Sequence, residues 1–438
     1  MVQSQGRALP TAGGPVAAPP FALPAVHFAA ALFWLLVSAG LLVWLAPRLA
    51  MGRVFDPPVF ALVHALMLGV VGSAIFGTLQ QFVPGGLGVP LRSVRLGFAS
   101  FALLQFGVTI LVLGFLGWRG WAQGLGWLAI LGAVGGVSRN VLRARRHSVN
   151  GKLVGLYITV AHSALGFGMI VAFARIGETL GWWQVDRMAL VSAHALLGAV
   201  GFGLLSVIGV GSRMLPTFLM GPGDDTRWLH WQLGLTVLAL LVYTAGAVLT
   251  AGWLMQSGAW LLMAAAVPTL MLPWRWFARR RRPLDGALWQ VASSMLALAA
   301  ATAVGLWLLL GDPYRFSRWA ALLVALVAGC LAVLVVGVMA KILPHLSYIN
   351  LARHMPGFAA LGSPNALLRD DWQCISAVCL GAGWSLLVVA LLAEHAAGAR
   401  AAAALWALGT GLVVVNTARM YVVGRRPARI APQGMVTN

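Results

Sequence analysis

Apolar runs of about 20 residues recur along almost the whole chain, and that is the length needed to cross roughly 30 Å of hydrocarbon. A backbone in hydrocarbon must satisfy its own hydrogen bonds, and runs this long do so as helices rather than as the shorter strands of a barrel. Twelve spans are expected, over residues 24–46, 57–83, 95–117, 121–141, 152–175, 188–215, 229–250, 252–273, 287–310, 319–343, 372–393 and 401–423. The fold class that follows is all-α, a polytopic membrane protein of about twelve transmembrane helices. Of the 438 residues 60% are hydrophobic and only 9% charged, too few to wet the surface of a soluble protein of this size.

The charge that remains is one-sided, +20 from 30 basic and 10 acidic residues. In a soluble domain that excess would suggest nucleic acid. Here it sits in short connections: Arg143, Arg145, Arg146 and Lys152 between spans 4 and 5, Arg275 and Arg279 to Arg282 between spans 8 and 9, and Arg425, Arg426 and Arg429 in the tail. The positive-inside rule puts all three on the cytoplasmic side and both chain ends with them. Residues 1–22 hold Pro, Ala, Gly and Arg7 without an apolar core, which reads as a disordered cytoplasmic tail, and 425–438 as a second tail. Cys330, Cys374 and Cys379 form no CxxC, so neither a zinc site nor a disulfide framework is indicated. Gln290, Ser293 and Ser294 make the ninth span less apolar and are expected to face protein.

One helix is written three times. HALMLGVVGSAIFGTLQQFVP runs from His64 to Pro84, and HALLGAVGFGLLSVIGVGSRMLP from His194 to Pro216. A degraded copy, VAGCLAVLVVGVMAKILPH, ends at Pro344 and His345. Gly77, Gly209 and Gly337 each stand seven residues before the proline. The histidines lie 13 and 15 residues before that glycine, where the third copy has Val324 or Leu322. Taken as the second helix of a set of four, this motif divides the membrane domain (23–424) into pseudo-repeats of about 24–143, 152–273 and 287–423. The first helices of two sets also echo, VHFAAALFWLLVSAG around His27 and AHSALGFGMIVAF around His162. Duplicated membrane scaffolds commonly place sites at the repeat interface.

A histidine within a span is costly unless it is paired, hydrogen-bonded or bound to a metal, and imidazole is a common ligand of copper and haem iron. His64 and His194 fall about seven residues below the outer face, roughly 10 Å deep at 1.5 Å per residue. Gly69, Gly72 and Gly77 follow the first, and Gly198, Gly201, Gly203, Gly209 and Gly211 the second. They admit either a neighbouring helix or a flat macrocycle. His162, near mid-membrane, is the next candidate as ligand or hydrogen-bond partner. His27 and His345 lie toward the cytoplasmic surface, and His230 sits among interfacial tryptophans; none needs a functional role. Arg213 and Lys341 are expected to snorkel to headgroups, or to pair with an anion such as a haem propionate. No carboxylate lies deep in a span, which argues against an ion-coupled carrier. The chain has no CxxCH, so a haem would be held without covalent attachment.

Twelve spans, both ends inside, three sets of four and a histidine near the outer end of span 2 resemble the main subunit of haem–copper oxidases and nitric oxide reductases. The two complete motifs look like those of a divergent branch of that superfamily. They resemble more weakly the helices of the NnrS family of haem- and copper-containing membrane proteins associated with nitric oxide stress. The resemblance covers most of the chain in topology and only these helices in sequence. It implies a low-spin haem on His64 and copper on His194. The pattern then breaks: Ala195, Leu196, Leu197 and Gly198 follow His194, span 7 offers only His230, and span 10 offers Leu322 to Gly329 without a histidine. A binuclear centre is therefore not expected, nor is oxygen reduction coupled to proton pumping.

The leading expectation is a membrane haem protein, with haem b, and copper as a second candidate, held by His64 and His194 and then His162. It would act in electron transfer, or in respiration or stress response involving nitric oxide or oxygen. Its setting would be the bacterial inner membrane, its partners the lipid bilayer and a redox subunit or cytochrome. No catalytic side chain is singled out. The competing expectation is a cofactor-free transporter or assembly factor that kept the fold without the metals.

Overall fold

The computed structural model describes residues 19–117, 119–142, 151–223, 225–312, 314–354 and 364–424. The first part of the N-terminal tail, Arg143, Arg145, Arg146 and the tail 425–438 lie outside the described residues. Among those described there is no strand, and twelve helices are long and apolar enough to cross a membrane. They are α1 (Ala22–Ala50), α2 (Pro57–Leu87), α3 (Val94–Leu116), α4 (Gly120–Val141), α5 (Lys152–Thr179), α6 (Arg187–Leu219), α7 (Thr226–Val248), α8 (Gly252–Ala278), α9 (Gly286–Leu310), α10 (Phe316–Arg353), α11 (Asp370–Leu392) and α12 (Ala396–Val422). The protein is a multi-pass membrane protein.

The helices α2, α6 and α10 form the centre. Their most apolar windows are 78%, 72% and 78% buried, against 22–56% for the other nine. A helix that is apolar on every side must be covered on every side. Around them the chain closes into a ring, with α4 packed on α5, α8 on α9 and α12 on α1.

Each central helix contains a π-helical stretch: Ala65–Gly72, Leu197–Leu204 and Val324–Ala332. All three stretches end five residues before the aligned glycine, and all three touch one another at the centre. A π turn is rare, and tends to mark functional places in a helix. Nothing in the apolar pattern announces one.

The aligned glycines mark close helix contacts. A methyl at Gly77 would lie 2.7 Å from His27 Cβ and at Gly337 3.1 Å from Gln290 Cβ, while one at Gly209 would run into Tyr157 Cβ, the tightest of the three. Eight residues earlier, Gly69 faces Trp34, Gly201 faces Ala164 and Gly329 faces Ala297. The facing residues are seven apart in every case, so His27, Tyr157 and Gln290 occupy corresponding places. His162 corresponds to Leu32 and Met295 instead. The sequence echo that sets His27 beside His162 is thus five residues out of register.

The outer hairpins correspond as well. The turns between α3 and α4, α7 and α8, and α11 and α12 are closed by bonds from Arg119 N–H to Gly114 O, Ala251 N–H to Gly246 O and His395 N–H to Ala390 O, at 2.8, 2.8 and 2.9 Å. At the other end Asn140 brackets the residue before α3, accepting from Ser93 N–H and donating to Ser93 O, both at 3.0 Å. Asn416 does the same for Arg369 before α11, at 3.1 and 2.9 Å. Before α7 an ionic clasp replaces the amide: buried Asp225 takes Arg275 Nε at 2.7 Å and Trp276 Nε1 at 3.0 Å.

Candidate functional site

His64 stands at the last turn of α2 before its π stretch, and His194 three residues before that of α6. Each is seven residues from the start of its helix, so the two reach the same depth. Their ring centres lie 6.0 Å apart with planes inclined at 24°. The structure therefore brings two of the three candidate histidines together, from different four-helix sets.

They do not occupy corresponding positions. In a ring of three similar helices, each helix shows one face to one neighbour and a different face to the other, as in any head-to-tail contact. Here the pair comes from unlike positions: relative to the aligned glycine the offsets are 13 for His64 and 15 for His194.

Each ring is fixed through Nδ1. His64 Nδ1 donates to Phe60 O at 2.7 Å, and His194 Nδ1 donates to Gly168 O of α5 at 2.9 Å. This tautomer leaves both Nε2 atoms as lone-pair donors. The second bond ties α6 to the neighbouring α5. Phe115 of α3 covers the other side of His64, ring centres 5.0 Å apart.

The donor set suits one metal ion. Two neutral imidazoles without carboxylate or thiolate fit haem iron, and also copper. A small open space lies near His194. Gly198 is four residues on and so on the same helix face, and a methyl added there would meet nothing within 4 Å. The other glycines are spent differently: Gly69, Gly77, Gly201 and Gly209 take neighbouring side chains, and Gly203 packs on Leu331 and Met67. Of the glycines named after His194, Gly198 and Gly211 stay open.

His162 is not part of this pair. Its ring neighbours are Phe76 and Phe202, at 6.0 and 6.2 Å. Nδ1 donates to Ile158 O at 2.8 Å, while the buried Nε2 has no hydrogen-bond partner. No group of three or more His, Cys, Asp or Glu able to hold a metal ion occurs among the described residues.

The remaining candidates are structural. His27, five residues into α1, is enclosed by protein: it is fully buried, with Nδ1 donating to Leu23 O at 2.8 Å and Nε2 3.3 Å from Gln80 Nε2. His230 is exposed and bonds Thr226 O, and His345 is exposed. Lys341 does not snorkel. It pairs with Asp285, which also accepts from Arg282 and caps α9. Gln290 and Ser294 are fully buried, as their place in the ninth span led us to expect. Phe115, the Gly168 carbonyl and the open space at Gly198 were not singled out from sequence; only Gly198, one turn beyond His194, carried a readable signal.

No protein-family model matches the chain, and no curated protein matches it.

Proposed function

We propose that this is a membrane haem protein on a haem–copper-oxidase-like scaffold, in which His64 and His194 would hold a b-type haem. The observation that carries the reading is the pair itself: two imidazoles from separate helix sets, 6.0 Å apart, each tethered through Nδ1. A haem bound there supplies a one-electron redox centre. The chain's own part is to hold the rings in one tautomer and orientation, to cover His64 with Phe115, and to leave space at Gly198. The described spans contribute no acid–base pair beside the rings, so the role is electron transfer, or the handling of nitric oxide or oxygen, without a proton-pumping binuclear centre. The setting is the bacterial inner membrane, with both chain ends cytoplasmic and a redox subunit or cytochrome as partner.

A reduced-minus-oxidised visible spectrum of the detergent-purified protein, with metal analysis of the same sample, tests this. The expected result is six-coordinate b-type bands at about one haem per chain, lost in both His64→Ala and His194→Ala and kept in His162→Ala. Copper without iron would assign the same pair to copper. A colourless protein free of both metals would overturn the reading and leave a cofactor-free transporter or assembly factor.

A further inference from the structure

A cleft lies away from the histidine pair, where α6 and α8 meet α2, α9 and α10. It offers about 90 Å³ of space and is open on one side. Its wall includes Ser206, Gly211, Thr269, Pro273, Met295 and Leu298, and no charged side chain.

This cavity is one of a set. A second, of only about 10 Å³, lies where α10 and α12 meet α1 and is lined by Leu32, Met339, Val413 and Thr417. By the register of the glycine contacts and of the asparagine brackets, these correspond to Met295, Gly211, Thr269 and Pro273. Between α2 and α5 the corresponding crevice holds Phe76 against His162.

What opens the large one is a single position. Where α2 has Leu79 and α10 has Met339, α6 has Gly211, and a methyl there would meet nothing within 4 Å. The wall also holds an unanswered polar group. Ser206 is 2% exposed and its hydroxyl has no hydrogen-bond partner, although a helical serine normally bonds a carbonyl one turn back. Its counterparts are apolar, Ala74 and Leu334.

We propose that this cleft binds an uncharged lipid-soluble molecule with an apolar body and one carbonyl or hydroxyl oxygen, which Ser206 receives. An ionic headgroup is excluded because nothing in the wall would neutralise it, and burying an unpaired charge is far costlier than burying a hydroxyl.

The test uses the full chain in detergent with two photoreactive probes of one chain length, a diazirine analogue of farnesol and the matching farnesyl phosphate. Saturable labelling by the alcohol at about one per chain, on peptides of α6 or α9, is expected, with little by the phosphate. Gly211→Leu restores the side chain found at the corresponding position of α2 and should abolish labelling while the thermal midpoint holds. Ser206→Ala should weaken the alcohol about fivefold, the worth of one hydrogen bond. Equal labelling by the phosphate, labelling unchanged in Gly211→Leu, or labels confined to the lipid-facing surface would each overturn the proposal.

Discussion

Replacing Asn140 by Leu tests whether the amide bracket, rather than apolar packing alone, sets the register of α3 and α4. Asn140 is fully buried and makes both bonds to the backbone of Ser93, with a longer one at 3.5 Å to Gln80 Oε1. Leucine is close in size, so little cavity forms and the loss is mainly polar. Two bonds of ~1 kcal/mol each disappear, and an unpaired buried group adds ~1–3 kcal/mol. Ser93 O keeps a second donor, Gly97 N–H at 3.2 Å, so Ser93 N–H and, for a weaker bond, Gln80 Oε1 are left unpaired. Ser93 is half-buried, so water recovers part of that cost. The net is about 2–3 kcal/mol, which should lower the thermal midpoint by ~4 °C or more. Asn416→Leu removes the equivalent bonds from Arg369 and should cost a similar amount, and the double variant should show the sum, since the sites share no partner. Unfolding can be followed with a thiol-reactive dye, because Cys330 and Cys379 are buried until the helices separate. A midpoint within about 1 °C of the parent for either variant would refute the argument.

Two further changes probe packing and charge. Gly209→Ala drives a methyl into Tyr157 Cβ and should destabilise by ~1–3 kcal/mol, while Gly211→Ala, with nothing within 4 Å, should be neutral or stabilising; equal midpoints for the two would contradict the glycine contacts. Asp285→Ala removes the cap of α9 and leaves Lys341, whose side chain is 8% exposed, without its carboxylate; a loss of ~2–4 kcal/mol is expected, partly recovered by adding Lys341→Met. A double variant no better than Asp285→Ala in the same melt would show that the ion pair does not carry the effect.

The candidate site was half legible. A histidine one or two turns into an apolar helix is conspicuous, and His64 and His194 were found for that reason. Their offsets from the aligned glycine, 13 and 15, differ by two residues, and the structure shows that the two rings meet across the interface between α2 and α6. For His27, depth along a helix says nothing about which side faces protein, and only Gln80, from another helix, reveals that this ring is enclosed. The π stretches were invisible because they change hydrogen bonding along the backbone and not the apolar pattern.

What the sequence determined by itself was the class of fold, the number of spans and the register of the central helices. Those depend on composition and spacing along one segment, and hydrocarbon leaves a 20-residue apolar run no other solution. Only the tertiary structure decided which histidines meet, which glycines are filled by neighbours and which stay open, and where Lys341 finds its partner. Each of those depends on the face a helix turns to its neighbours, and in a helix apolar on every side the sequence carries no polar stripe to mark that face.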